Sequence, residues 1–239
     1  MLGYSFLPIT HADLLKLESN FVTPSRIFLK QYISAEFQQI IPAKFKAATL
    51  LFQYSKDVKD YHQKIEEKKK KLAEEKKKYK KDDPNVVKLE DPDEEDKTVL
   101  SAPEIFHNKC DMKGPTLLVV QTKDGYVFGG YNPANWKNEF AYTETYDAYL
   151  FSLTDGKDRK PTKLPLRTGK ARKAIKQAEK GYSPAFGETS VSDLFISLRD
   201  LPQSYSILGN VYKLPKGEKS DTYLAGKAEG WEIIEIEVF

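Results

Sequence analysis

The last nine residues, Trp231 to Phe239, carry the clearest alternation in the chain: Ile234, Ile236 and Val238 alternate with Glu235 and Glu237. A period of two marks a strand with one face in a core and the other in water. Trp231 and Ile233 lie on the opposite parity, and a one-residue bulge near Ile233–Ile234 would turn both sets inward. The pattern predicts a C-terminus that belongs to the fold rather than a tail.

Other short apolar runs, separated by turn residues, begin at Leu100. Thr116–Val120 reads as a buried strand, Asp124-Gly125 as a hairpin turn and Tyr126–Phe128 as its antiparallel return. Gly129-Gly130 marks close packing or a bulge. Ala148–Leu153, Asp193–Ser197, Ser206–Tyr212 and Tyr223–Ala225 are further strand candidates. Runs of this length and spacing predict an antiparallel two-sheet β-sandwich, mainly β in an α+β sense, with flanking helices.

The first forty-odd residues follow a helical period instead. Thr10 is placed to N-cap a helix carrying Leu14, Leu15 and Leu17, and Pro24 marks a break or the first turn of the next helix. Ile27, Phe28, Tyr32 and Ile33 then recur up to a stop before Pro42. This gives a helical N-terminal extension over 1–44, followed by a buried apolar stretch from Phe45 to Tyr54. From Lys59 to Lys81 the chain holds 11 Lys and 5 acidic residues, with no Gly or Pro. Strong helix formers dominate, and Val58, Ile65, Leu72 and Tyr79 lie seven apart, which makes half of a coiled-coil seam. The segment reads either as a solvated projecting helix or as one that docks on a partner. Asp82–Asp96, with 8 acidic residues against Lys88, reads as a return linker. Between Gly156 and Lys180 there are 10 Lys or Arg against 2 acidic residues. Propensity makes Lys170–Lys180 helical, while Ala174-Ile175 fits a short strand in a basic loop equally well.

Composition adds bounds. The 239 residues are 40% hydrophobic and 31% charged, with a net charge of only +3, which disfavours a general polyanion binder. Cys110 is the only cysteine, so no internal disulfide forms and a reducing compartment is expected. The N-terminus lacks a signal-peptide pattern, and no apolar run reaches the roughly 18 residues that span a bilayer. The expected location is cytoplasmic, including cytoskeletal or ciliary sites and the cytosolic face of membranes.

Little reactive chemistry stands out. His11, His62 and His107 are scattered, and His107 with Cys110 supplies two ligands where a zinc site needs more. Cys110 reads as a small buried apolar group at a helix end. Gly129-Gly130 and Gly187 read as packing glycines, and Glu188 and Asp193 as capping or solvated acids. Tyr182 and Phe186 read as core. The basic stretch lacks interleaved aromatics, so no nucleic acid is expected, whereas an anionic membrane surface or an acidic protein face suits it. No catalytic residue, cofactor or metal is predicted.

Several stretches resemble the TLDc family, which includes the oxidation-resistance proteins. They are Phe106-His107-Asn108-Lys109-Cys110-Asp111 through Thr116, Val127-Phe128-Gly129-Gly130-Tyr131 with Trp136, and Ala148–Leu153. The set continues with Tyr182-Ser183-Pro184-Ala185-Phe186-Gly187, Asp193–Ile196, Leu224-Ala225-Gly226 and Ile236-Glu237-Val238-Phe239. Upstream, Ala48–Ser55 looks like the family's first core helix and the turn after it. The resemblance implies a TLDc-like sandwich over 45–239, interrupted by a charged helical insertion at 56–97, with Ala174-Ile175 as a strand. It also implies a non-enzymatic module linked to oxidative-stress protection and to the vacuolar proton-pumping ATPase. The inserted helix suits a second role, as an adaptor in a large assembly such as a ciliary axonemal complex containing tubulin. Expected partner contacts are Lys64, Lys68, Lys71, Leu72, Lys76 and Tyr79 on the inserted helix, and Lys160, Lys163, Arg167, Lys170, Arg172 and Lys173 in the basic loop.

Overall fold

A computed structural model describes residues 49–76 and 99–239, apart from 179–180, 184 and 189–190. The expected N-terminal helices, the acidic linker and Tyr79 lie outside the described residues. In chain order the elements are β1 (Phe52–Gln53), α1 (Asp60–Lys76), α2 (Ala102–Cys110), β2 (Thr116–Thr122), β3 (Tyr126–Asn132), β4 (Tyr142–Thr143), β5 (Tyr149–Asp155), β6 (Thr162–Pro165), β7 (Ile175–Lys176), β8 (Ala185–Glu188), β9 (Val191–Phe195) and β10 (Ile233–Val238).

The strands form two antiparallel sheets, ordered β1-β10-β2-β3-β5-β6 and β4-β7-β8-β9. The hairpin of β2 and β3 turns at Asp124-Gly125, where Gly125 N–H donates to the Thr122 carbonyl at 3.1 Å. Successive residues of β2 are buried on both faces: Leu118 and Val120 join the main core, and Leu117 and Val119 are buried on the opposite parity. Gly130 lets the second sheet approach, because a Cβ there would lie 2.6 Å from the Phe186 ring of β8. The main core is threaded by edge-to-face rings, with Phe52–Phe106 centroids at 5.8 Å, Phe106–Trp136 at 5.9 Å and Trp136–Phe186 at 5.7 Å. These large residues of the family-like motifs are therefore packing residues.

The C-terminal strand differs from its alternation. It lies inside the six-stranded sheet between β1 and β2, with its ladder shifting between Ile233 and Glu235. That bulge leaves Ile234 44% exposed, while Glu235 and Glu237 are buried at 3% and 0%. The face expected in water is covered by the chain around β1. Glu235 accepts the Ser55 N–H at 2.9 Å and the Ser55 hydroxyl at 2.5 Å, and Glu237 accepts the Gln53 amide at 3.2 Å. Trp231 and Ile233 are buried, as a bulge implies.

Three further expectations are corrected, and one open alternative is decided. Within Ala48–Ser55, Phe52–Gln53 is a strand, with Leu51 N–H on the Val238 carbonyl at 2.7 Å, because β10 would otherwise leave an open edge. A π-type helical turn follows at Ser55–Lys59 and leads into α1. Ser206–Tyr212 is irregular: it is tied in by the Leu166↔Tyr212 bridge, by Ile207 N–H on the Ser192 carbonyl at 3.3 Å and by the Asp193 side chain of β9. Tyr223–Ala225 is a turn, with Tyr223 N–H on the Lys219 carbonyl at 3.1 Å, and its three consecutive buried side chains mimic a buried strand. Lys170–Lys180 is no continuous helix: Ala171–Lys173 is one 3₁₀ turn and Ile175–Lys176 is β7, as the resemblance implied.

Candidate protein-binding surfaces

α1 is rooted in the domain at its start and leaves it along its length. Val58, just before it, is 2% exposed in the core. Tyr61 Oη accepts the Leu100 N–H at 3.2 Å, and His62 Nε2 lies 3.0 Å from the Leu100 carbonyl, which ties the first turn to the chain entering α2. Beyond that root, Lys64, Lys68 and Lys71 are exposed and Ile65 is half-buried. Leu72 and Lys76 lie on the same helix. A helix of 17 residues is about 25 Å long, so its far turns reach well past the root.

The predicted basic loop sits elsewhere. β1, next to α1, and β6, next to the loop, occupy opposite edges of the six-stranded sheet. With neighbouring strands about 4.8 Å apart, that separation is roughly 24 Å. The two groups of predicted contacts therefore form two surfaces.

Most cations of the loop have local partners. Lys163 lies 4.0 Å over the Tyr149 ring, and burial holds its ammonium below the usual lysine range. Arg172 Nε is 3.8 Å from Glu144, and Lys173 pairs with Glu188 at 3.4 Å while covering the Tyr142 ring. The Asn210 amide and Lys173 hold the Glu188 carboxyl below its ordinary value. Lys160 is exposed. Arg167 and Lys170 meet the turn at 209–210: Arg167 Nη1 donates to the Gly209 and Asn210 carbonyls, and Lys170 Nζ lies 3.4 Å from Asn210 Oδ1. Lys213 enters the same neighbourhood by donating its N–H to the Pro165 carbonyl at 2.9 Å. Sequence spacing conceals Lys213, because it joins the loop only through the bridge between Leu166 and Tyr212.

Asp193 is also more than a solvated cap. It is wholly buried, and its two oxygens accept the N–H groups of Gly209, Val211 and Tyr212 at 3.1, 2.9 and 3.0 Å. Burial nevertheless pushes its pKa up to about 6, against the lowering effect of those donors.

The reactive side chains are engaged. Cys110 has no exposed surface, and burial pushes its thiol far above the ordinary range, as suits a packing residue at the end of α2. His107 Nδ1 lies 2.9 Å from Asp111 Oδ1, and Nε2 lies 3.2 Å from the Tyr182 carbonyl. Tyr182 itself is 55% exposed rather than core: its chain follows Gly181 at φ +96°, and its ring meets the exposed Phe140 ring at a tilt, with centroids 5.4 Å apart. Among the described residues no three His, Cys, Asp or Glu side chains are grouped as a metal site, and no helix is long and apolar enough to cross a membrane.

Comparison with known protein families matches residues 101–239 to the TLDc domain. Comparison with curated proteins finds no match. β1 and the root of α1 lie upstream of the matched span, yet pack into the same core.

Proposed function

The chain belongs to the TLDc domain family, and from that premise we propose that it is a non-enzymatic protein-binding module. In this reading it is an accessory factor or regulator of the vacuolar proton-pumping ATPase, working on the cytoplasmic side of membranes in protection against oxidative stress. The observation that carries it is α1, anchored by Val58, Tyr61 and His62 and then presenting exposed lysines beyond the domain. A sealed thiol and a fully engaged His107 favour binding over catalysis. The length of α1 favours a second reading, a strut in a microtubule-based assembly of the axonemal kind.

Affinity purification of the full chain from native extract tests both. The first reading expects proton-pump subunits to co-purify at low salt. They should dissociate toward ~0.5 M salt, as the Debye length falls from about 10 Å at 0.1 M toward 3 Å. A variant carrying Lys64→Glu, Lys68→Glu and Lys71→Glu should lose them at low salt. Tubulin in place of pump subunits selects the second reading. Partner retention unaffected by salt and by the triple reversal overturns α1 as the binding element.

A further inference from the structure

The turn at 209–212 has its N–H groups consumed from inside by Asp193. Its Gly209 and Asn210 carbonyls point the other way, onto Arg167 Nη1. The Arg167 guanidinium is thus fixed by neutral dipoles, and among the described residues no carboxylate pairs with its charge. Two of its five N–H donors are engaged in these contacts, leaving three. Beside it opens a cavity of about 480 Å³ lined by Arg167, Thr168, Gly209, Lys213 and Leu214. Arg167, Thr168 and Lys213 are exposed in it, and the lining includes no carboxylate. The two acids bonded to this turn are engaged: Asp193 lies buried behind Gly209, and Glu188 is taken by Lys173 and Asn210.

A fixed guanidinium fork matches the two oxygens of a carboxylate, and a second cation on the rim adds attraction without needing a set direction. We propose that Arg167 and Lys213 form a pocket for a carboxylate side chain on an acidic segment of a protein partner. The proposal rests on the reading of this domain as a protein-binding module and names the chemistry recognised at its second surface. Leu214, half-buried in the lining, gives the carboxylate's aliphatic stem an apolar wall.

The test is an amide chemical-shift titration of the full chain with a ten-residue glutamate peptide, a ten-residue lysine peptide and inorganic phosphate. The glutamate peptide is expected to shift the Thr168 and Gly209 amides, and Lys213→Glu to weaken it by roughly tenfold or more. Arg167→Lys keeps the charge but loses the fork, and should weaken binding several-fold. Unchanged protection of the Val211 and Tyr212 amides would show that its turn is intact. If Arg167→Lys disturbs that turn, Lys213→Glu alone decides, because its side chain lines the cavity from an exposed position. Equal binding by Lys213→Glu, shifts elicited equally by the lysine peptide, or phosphate displacing the glutamate peptide from these amides each overturns the proposal. A native partner that survives Lys213→Glu but is lost on reversing the α1 lysines removes this pocket and leaves the module reading standing.

Discussion

Asp193 shows how one buried charge is held in place. Its carboxylate is paired only with backbone N–H groups, and burial leaves its pKa near 6, whereas an unfolded aspartate titrates near 3.9. Between about pH 4 and 6 the folded protein therefore keeps a proton that the unfolded chain has released. Stability falls as pH rises through that window and is flat above it, by up to about 1.4 kcal/mol per pH unit. Glu188, held below its ordinary value, acts with the opposite sign and only at lower pH. Urea unfolding at a series of pH values should show this downward slope, and Asp193→Asn should remove it whatever it does to the midpoint. Gly129 is limited by space rather than charge. A Cβ there would sit 1.9 Å from the Leu118 carbonyl oxygen on the neighbouring strand. No side-chain movement relieves a clash with backbone, so Gly129→Ala should cost at least ~3 kcal/mol in denaturant unfolding.

Among the elements, β10 joins the matched domain to the chain upstream of it. It pairs with β2 on one side and β1 on the other, and its two glutamates receive donors from Gln53 and Ser55. Asp57 extends this polar seam by accepting the Gln53 N–H at 2.7 Å and pairing with Lys109 of α2 at 2.9 Å. The insertion's first residues are thus part of the fold, and only later turns of α1 stand clear of it. Glu235→Ala would leave the Ser55 N–H buried without an acceptor, at a cost of about 1–3 kcal/mol. The accompanying sign would be earlier hydrogen exchange at Ser55 and along the root of α1, with the β2–β3 hairpin protected as before. If protection at the root of α1 did not change, Glu235 would not be what holds it.

On the scale of the whole molecule, two basic surfaces lie at opposite edges of one sheet, so a partner touching both must span the domain. Much of this architecture was legible in the chain. The β2–β3 hairpin follows from a buried run, an Asp-Gly turn and an antiparallel return, and local pattern suffices for contacts so near in sequence. The seal on Cys110 and the bulge in the last strand were also readable, because small apolar residues and parity breaks have few solutions. Tertiary structure alone decided which way β10 faces. Alternation reports that two faces differ, but Glu235 and Glu237 point inward because Gln53 and Ser55, 184 and 180 positions away from their partners, supply their donors. It likewise decided that Tyr223–Ala225 is a turn, since three consecutive buried residues have no period. The juxtaposition of Arg167 with Lys213 belongs to tertiary structure too: it exists only where Leu166 meets Tyr212 across the fold. Local periodicity records the preference of a segment for burial, whereas the partner that satisfies a buried polar group is chosen by the closure of the whole chain.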